Sequence, residues 1–294
     1  MIKTGIRSLR DPFVLREGNI YYVYGTGVGV GNWNDCIWAC YKSTDGLYGE
    51  WKITDKLVYA CPIEAEKQFW APEVHKYNGK YYMIASYYSS VTGHRGCSIL
   101  RADSPEGKFV EITNGHITPR DWDAIDGTLY VDENGASWLV FVHEWTSTDD
   151  KIGRMAVARL SEDLTHFVSE PKDVFCAKDP EWANSGCTDG PFMYRTEGGE
   201  LLMLWSTFDG RDYCVVTARS KNGKVDGEWT HDDTPLFSKE LADGKDGGHG
   251  MIFTDENGDM YLSIHSPNHP SEEEKEEVVF VPVKEENGTL VCVI

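Results

Sequence analysis

One short pattern of apolar and polar positions occurs five times along the chain. From residue 11, an apolar segment (residues 12–15) is followed by a polar turn at 16–19 and a second apolar segment at 20–24, which predicts two strands joined by a turn. The pattern starts again at residues 71, 126, 189 and 249, so the starting positions are 55 to 63 residues apart. Five such units occupy the 294 residues, and no stretch shows helical periodicity.

The length of the repeat indicates the fold. A unit of about 40–60 residues that holds several short strands has the size of a propeller blade. We therefore predict an all-β, five-bladed β-propeller with four antiparallel strands in each blade, forming a single domain over residues 1–294. The 29 Gly, 15 Tyr, 11 Phe and 10 Trp are typical of many short strands joined by turns. We expect residues 278–294 to form a hairpin that completes the last blade, because an open ring would expose strand edges.

The first positions of the repeats indicate a functional site. The innermost strands of a propeller line a central channel, so side chains at these positions are expected to converge on its axis. They include three carboxylates, Asp11, Asp126 and Asp189, with Glu73 and His249 close by. Because unpaired buried carboxylates are costly, a cluster of them in a channel is a candidate site.

Carboxylates that act in pairs are typical of enzymes that cleave glycosidic bonds. One must be protonated to donate to the leaving oxygen, and another must be ionised to activate water or attack directly. A third carboxylate nearby raises the pKa of the acid by charge repulsion. The sequence contains no nucleophile elbow, P-loop or HExxH motif. The glycines at residues 25–31 are not followed by the helix that a nucleotide-binding loop requires, and we expect a rim loop there.

Charge and targeting signals narrow the partners and the location. The net charge of −20 and the sequence pI of about 4.8 disfavour nucleic acid and a membrane as partners and are compatible with a small oligosaccharide. The N-terminal segment has no apolar signal region, and no run of 18 apolar residues occurs. The eight cysteines form no CxxC pair, which predicts reduced core cysteines. These features predict a cytoplasmic protein.

Five motifs, in order and at blade spacing, resemble those of glycoside hydrolase family 43: Arg10-Asp11-Pro12-Phe13, Trp70-Ala71-Pro72-Glu73, Ile125-Asp126-Gly127, Asp189-Gly190-Pro191 and Gly248-His249-Gly250. The resemblance covers essentially the whole chain. It implies a five-bladed propeller of inverting enzymes, mostly α-L-arabinofuranosidases, β-D-xylosidases and endo-arabinanases. It also implies that Asp11 is the general base, that Asp126 tunes the pKa of the acid and orients it, and that Asp189 is the general acid.

The fourth motif departs from the family pattern. The family usually has Glu before Gly-Pro, whereas this chain has Asp189, which is one methylene shorter. Inverting enzymes hold their two carboxyl groups about 6.5–9.5 Å apart, and a misplacement of about 1 Å costs on the order of a hundredfold in rate. Three explanations stay open: the backbone compensates and Asp189 is the acid, Glu181 or Glu144 serves instead, or the site is weakened or repurposed.

The remaining candidates are substrate contacts and a metal site. Trp70 is expected at the channel mouth, either as a platform for a sugar or as a plug between blades. His249 resembles the family's channel histidine, which often meets a central calcium ion directly or through water. The alternative is a buried histidine satisfied by neighbouring carboxylates, and one histidine is a poor calcium site by itself. We expect no required cofactor, a structural calcium ion at most, and substrate contacts from His265 and Arg219.

Three hypotheses about function follow. The first is an inverting glycosidase that removes terminal arabinofuranose or xylose from oligosaccharides derived from plant polysaccharides. The second is a retaining fructosidase of a related five-bladed clan, which the absence of a Glu-Cys pair disfavours. The third, from a different class, is a non-catalytic or weakened sugar-binding propeller, for which Asp189 is the main support.

Overall fold

The chain forms a five-bladed β-propeller, as predicted. The computed structural model describes residues 1–27, 33–54, 58–59, 61–271 and 274–293. Most of the expected rim loop at residues 25–31 therefore lies outside the described residues. In the described part, every named strand belongs to one of five sheets, and the helical elements are two short 3₁₀ turns at Trp33–Asp35 and Lys239–Leu241.

The blades follow one another along the chain, and the first strand of each is innermost. Blade 1 contains β2 (Leu9–Glu17), β3 (Ile20–Gly27), β4 (Ile37–Ser43) and β5 (Lys52–Ile53). Blade 2 contains β7 (Ala65–Tyr77), β8 (Lys80–Ser89), β9 (Arg95–Ala102) and β10 (Gly107–Glu111), with β6 (Val58–Tyr59) parallel to β10. Blade 3 contains β11 (Ala124–Val131), β12 (Ser137–His143), β13 (Arg154–Arg159) and β14 (Lys172–Cys176). Blade 4 contains β15 (Asp189–Arg195), β16 (Leu201–Asp209), β17 (Asp212–Ser220) and β18 (Trp229–His231).

The last blade is built from both ends of the described chain. It contains β19 (Gly248–Thr254), β20 (Met260–Ser266) and β21 (Glu277–Glu286), and β21 pairs with both β22 (Thr289–Cys292) and β1 (Ile2–Arg7). The predicted C-terminal hairpin is therefore confirmed, but the N-terminal strand was missed. Because β19 also contacts β2, the inner strands form a closed ring without an open blade edge at the junction.

Aromatic and aliphatic side chains fill the spaces between neighbouring sheets. Trp51 of blade 1, for example, lies 6.5 Å from the ring of Tyr21 and 6.0 Å from the ring of Phe280 in blade 5. Trp205 is fully buried between blades 3 and 4, with the ring of Phe175 at 5.4 Å. Each sheet thus buries both faces against its neighbours, which holds the inner strands in fixed positions around the axis.

Every inner strand carries a β-bulge at the same place. The pairing with the second strand shifts after Arg10, Trp70, Ile125, Asp189 and Gly248. The next residue has a positive φ of 40–55° in all five blades: Asp11, Ala71, Asp126, Gly190 and His249. A bulge inserts one extra residue and changes the direction of the side chain. The repeat therefore starts at residue 190 in blade 4, one position later than the sequence pattern predicts, and Asp189 is equivalent to Arg10 and Trp70.

Candidate active site

The bulges surround a cavity of about 370 Å³ where the five inner strands begin. Its lining is a mixture of carboxylates, aromatic rings and small side chains: Arg10, Asp11, Trp33, Trp70, Ile125, Asp126, Glu144, Trp145, Cys187, Asp189, Phe208, Tyr213 and His249. The three predicted catalytic carboxylates and His249 are thus brought together. A concave cavity with a few convergent polar groups is the usual form of a ligand site.

Asp11 is held by groups that favour its ionised form. Its Oδ2 accepts a hydrogen bond from Thr26 Oγ1 at 2.6 Å, and its Oδ1 lies 3.2 Å from His249 Nδ1. Its backbone N–H donates to His265 Nδ1 at 3.2 Å. Burial alone would raise the pKa of Asp11, but His249, His265 and Arg10 together hold this pKa well below its usual range. Asp11 is therefore a carboxylate at neutral pH and suits the role of a base.

Asp126 connects blades 2, 3 and 4. Its N–H donates to Ser86 Oγ at 2.9 Å, and its Oδ2 accepts the N–H of Gly190 at 3.0 Å. Burial raises the pKa of Asp126, and the carboxylates of Asp189 and Asp11 raise it further. These effects outweigh His249, which lowers it, so the net pKa is about 7. Since Gly190 directly follows Asp189, the contact also joins Asp126 to the strand that bears the predicted acid.

Asp189 has different neighbours from Asp11. Both of its side-chain donors reach one oxygen, Oδ2: Tyr213 Oη at 2.9 Å and Cys187 Sγ at 3.1 Å. Burial raises the pKa of Asp189 and outweighs the hydrogen bond from Cys187, the charge of His249 and the hydrogen bond from Tyr213, which all lower it. The protonated form of Asp189 is thus favoured beyond the usual range for aspartate, as a general acid requires.

His249 is the central cation of the cluster. Its Nδ1 lies 3.2 Å from Asp11 Oδ1 and 3.8 Å from Asp126 Oδ2. Burial would lower the pKa of His249, but the two carboxylates raise it to about 10. The imidazole is therefore an imidazolium at neutral pH, which agrees with the hypothesis of a buried histidine satisfied by carboxylates.

The expected calcium ion lacks a ready set of ligands. In the described ranges, no group of three or more His, Cys, Asp or Glu side chains has an arrangement that could hold a metal. The Nδ1 of His249, which faces the cluster, lies 3.2 Å from Asp11 Oδ1. Calcium stays a prediction, and the chemistry proposed below uses the residues alone.

Trp70 and Glu144 line the cavity, as predicted from the sequence. Trp70 donates from Nε1 to the carbonyl of Trp33 at 3.0 Å, and its ring lies 5.8 Å from the guanidinium of Arg95. The same guanidinium donates from Nε to Glu144 Oε2 at 2.6 Å. Glu144 is therefore a buried, ion-paired group, whereas Asp189 has no cation donating a hydrogen bond to it in the described residues. This difference favours Asp189 as the acid.

Four predicted residues do not line the cavity. Glu73 shares a face of β7 with His75, two positions further on, and their side chains pair at 2.8 Å. Arg219 lies six residues beyond Tyr213 on β17, about 20 Å at 3.3 Å per residue, and pairs with Glu200. Glu181 is exposed on the segment between β14 and β15.

The fourth residue outside the cavity lining, His265, is fully buried beside Asp11. Its Nδ1 accepts the Asp11 N–H, and its Nε2 lies 3.0 Å from Asn268 Oδ1. Burial, reinforced by the charge of Arg10, lowers the pKa of His265 to about 3. It is a neutral residue that positions the backbone of Asp11, so the predicted direct contact with substrate is wrong for the arrangement seen here.

Sequence reasoning missed Tyr213, Cys187 and Thr26. Cys187 lies two residues before Asp189 in an extended segment, so the alternation of strand side chains could have suggested a shared face. Thr26 and Tyr213 reach the site from β3 and β17, and nothing in the local sequence indicates which residue they face. Only the three-dimensional arrangement of the strands reveals Thr26 and Tyr213 as neighbours of the aspartates.

Comparison with curated proteins finds enzymes that act on arabinan and xylan. The chain is 25% identical to the extracellular exo-α-(1→5)-L-arabinofuranosidase of Cellvibrio japonicus over 83% of this chain and 71% of that protein. It is 26% identical to an extracellular endo-α-(1→5)-L-arabinanase of Bacillus subtilis, over 73% of this chain and 65% of that protein. A xylan 1,3-β-xylosidase of a Vibrio species is 22% identical over 86% of this chain and 47% of that protein.

These names overturn the predicted cytoplasmic location. The relatives from Cellvibrio japonicus, Bacillus subtilis and Thermotoga petrophila are extracellular enzymes. The prediction rested on the absence of an apolar leader and on the lack of paired cysteines, and neither feature determines where a protein functions. No two cysteines of the described residues form a disulfide. Within the same residues, no helix has the length and hydrophobicity needed to cross a membrane.

Solved structures also resemble this chain, and they include enzymes of the same kind as the curated relatives. An endo-arabinase from Bacteroides thetaiotaomicron superimposes with a TM-score of 0.82 over 98% of both chains, at 35% sequence identity. A thermostable family-43 glycoside hydrolase gives a TM-score of 0.83 at 23% identity, which bears on the fold alone. The model of glycosyl hydrolases family 43 matches residues 5–290, nearly the whole ring. The chain belongs to glycosyl hydrolases family 43.

Proposed function

We propose that this glycoside hydrolase is an inverting enzyme that removes terminal arabinofuranose or xylose from oligosaccharides. The observation that carries the proposal is that the pKa values of two aspartates lining one cavity are shifted in opposite directions. Cations keep Asp11 ionised, whereas burial favours the protonated form of Asp189. Two carboxyl groups whose environments separate their pKa values in this way are the usual signature of an acid and a base.

In the proposed reaction, water attacks the anomeric carbon as the glycosidic C–O bond breaks. Asp11 takes a proton from the attacking water, and Asp189 gives its proton to the departing oxygen. The configuration at the anomeric carbon is inverted because the displacement occurs once. Asp126 assists through its Oδ2, which accepts the N–H of Gly190 and so ties Asp126 to the strand that carries Asp189. His249 balances the charge of Asp11 and Asp126.

The names of the relatives support arabinofuranose as the first choice of sugar. The Cellvibrio, Bacillus and Bacteroides proteins are described as acting on arabinan or on arabinofuranosides, and the Vibrio protein as acting on xylan. Both exo- and endo-acting enzymes are among them, and we propose exo action. The names also support an extracellular location for this chain, where it would meet fragments of plant polysaccharide.

The test is hydrolysis of nitrophenyl α-L-arabinofuranoside and nitrophenyl β-D-xyloside, followed by analysis of products from linear arabino-oligosaccharides. We expect turnover by wild type, monosaccharide as the first product, and loss of about 10²–10⁴ in rate on the oligosaccharides for Asp11→Ala and Asp189→Ala. Asp121→Ala removes an exposed carboxyl group outside the cavity and serves as the control. Longer first products would indicate endo action, and full activity of Asp189→Ala on the oligosaccharides would assign the acid elsewhere, with Glu144 tested next.

A second candidate, sugar binding without turnover, is favoured by one observation. Asp189 is one methylene shorter than the glutamate that the resemblance implies at this position. If wild type binds arabino-oligosaccharides in calorimetry but releases no sugar, and Asp189→Glu gains activity, this candidate replaces the first.

A further inference from the structure

Two neutral donors reach the same carboxyl oxygen of Asp189. Tyr213 Oη and Cys187 Sγ both reach Oδ2, at 2.9 and 3.1 Å. They approach from different elements: Tyr213 is on β17, and Cys187 precedes β15 by two residues. Because both donors converge on one oxygen, the carboxyl group has a defined orientation and Oδ1 remains for the acidic proton.

Tyr213 is itself fixed in place by its surroundings. Its N–H donates to Asp246 Oδ2 at 3.1 Å, and its ring lies 5.7 Å from that of His265 and 5.0 Å from that of Phe208. The ring also packs directly on the backbone of Gly248, where an added Cβ would come within 2.6 Å of a ring carbon. Gly248 thus makes room for this tyrosine, which is 3% exposed.

Cys187 is constrained through its backbone. Its carbonyl oxygen accepts a hydrogen bond from Thr207 Oγ1 at 2.7 Å, and the residue is 8% exposed. Burial raises the pKa of the Cys187 thiol well above its usual value, and the nearby Asp189 carboxyl group raises it further. The sulfur therefore keeps its hydrogen at neutral pH and acts as a donor.

We propose that Tyr213 and Cys187 are positioning residues that clamp one oxygen of Asp189 and present the other to the glycosidic oxygen. The inference rests on the proposed function, in which Asp189 is the acid. It explains how Asp189, which is one methylene shorter than glutamate, serves as the acid. Two rigid donors fix its carboxyl group, so the backbone and these donors together determine where the other oxygen lies. Loss of either donor leaves Asp189 less well oriented.

The clamp also has an electrostatic consequence with a definite sign. Donors stabilise the ionised carboxylate, so their removal raises the pKa of Asp189. The acid must be protonated to act, and its pKa therefore sets the alkaline limb of the pH–rate profile. The limb should shift to higher pH when a donor is lost. The other titratable groups that act on Asp189 or are acted on by it are Asp11, Asp126, Glu144 and His249.

The experiment compares Tyr213→Phe and Cys187→Ala with wild type in two measurements. The first is the pH profile of kcat/KM on a linear arabino-oligosaccharide, whose sugar leaving group must be protonated. We expect a fall of about 10-fold at the optimum and a shift of the alkaline limb upward by about one pH unit. The second is the ¹³C titration of the Asp189 carboxyl carbon in protein labelled at aspartate, assigned by Asp189→Asn, which should show the same upward shift.

Two controls separate positioning from general damage. Tyr194→Phe removes a phenol that donates to Glu285 at the far end of blade 4, and it should leave both measurements unchanged. Cys187→Ser keeps a donor and should recover much of the loss seen in Cys187→Ala. The clamp is wrong if Tyr213→Phe and Cys187→Ala both leave the alkaline limb of kcat/KM and the titration of the Asp189 carboxyl group unchanged. If wild type hydrolyses neither glycoside, the proposed function is wrong. The ¹³C titration of Asp189, which needs no turnover, then tests by itself whether Tyr213 and Cys187 hold this carboxyl group.

Discussion

Two aspartates that line the same cavity have pKa values shifted in opposite directions. At one end, Asp11 faces His249 Nδ1 at 3.2 Å and has Arg10 and His265 nearby. At the other end, Asp189 receives hydrogen bonds only from neutral donors, among the described residues, and desolvation dominates its pKa. The residue type therefore does not decide which aspartate is the acid or the base. The neighbours decide it: His249 of blade 5 for Asp11, and two neutral donors from its own blade 4 for Asp189.

The largest expected effect comes from neutralising Asp11, the ionised aspartate. Asp11→Asn keeps the shape of the side chain and its contact with Thr26, but it cannot accept a proton from water. We expect kcat/KM to fall by about 10²–10⁴ on the nitrophenyl glycoside. The exposed Asp121→Asn is the control, and a fall of less than tenfold in Asp11→Asn would mean that another group acts as the base.

The second prediction concerns His249, the cation beside Asp11. His249→Gln deletes the imidazolium that lowers the pKa of Asp11, so this pKa rises and the base is protonated at higher pH than in wild type. The acidic limb of the kcat/KM profile should then move upward by one pH unit or more. If the limb stays where it is, His249 does not control the charge of Asp11.

The same histidine predicts a dependence of stability on pH. The pKa of His249 is raised from 6.5 to about 10 in the folded protein. Its contribution to the free energy of unfolding is therefore complete below about pH 6.5 and is lost as the pH rises through about 10. Thermal unfolding of wild type should show a decline in Tm between pH 7 and 10 that is smaller in His249→Gln. Parallel curves for the two proteins would contradict this assignment.

A smaller effect is expected at the hydroxyl group that orients Asp11. Thr26 Oγ1 donates to Asp11 Oδ2 and accepts the N–H of Ala71 at 2.7 Å. Thr26→Val keeps the shape but leaves that buried N–H unpaired, which should lower the free energy of unfolding by about 1–3 kcal/mol. Denaturant unfolding measures this loss, and Thr26→Ser, which keeps the hydroxyl, should lose less. Equal losses would assign the effect to packing.

The smallest effect is predicted for Arg219, which the sequence suggested as a substrate contact. Its side chain pairs with Glu200 and donates to the carbonyl of Gly288 at 2.7 Å, far from the cavity. Arg219→Ala should change KM by less than about twofold, as for other substitutions away from the site. A large rise in KM would show that substrate extends to this part of blade 4.

The repeat explains why the fold was predictable while details of the site were not. Five units of similar length, each with apolar strands and a polar turn, leave few alternatives to a ring of blades. The role of β1 was missed because residues 2–7 belong to no repeat and pair with the other end of the chain. The bulge was also missed, and with it the one-residue offset of Asp189, because a bulge depends on how two strands pair.

Residues at the first positions of the repeat were predictable because the ring brings those positions together. Asp11, Asp126 and His249 follow this rule directly. Glu73 fails because, beyond the bulge at Ala71, strand alternation directs its side chain to His75. Tyr213 could not be assigned because its partner is set by the packing within blade 4, whereas strand alternation was an available signal for Cys187.

The most direct test of the central claim is the ¹³C carboxyl titration of Asp11 and Asp189 in wild-type protein labelled at aspartate. Signals are assigned with Asp11→Asn and Asp189→Asn. We predict that Asp11 titrates well below the usual aspartate pKa and that Asp189 titrates above it. If both groups titrate together near pH 4, or if Asp11 is the protonated one, the division of roles between the two ends of the cavity is wrong.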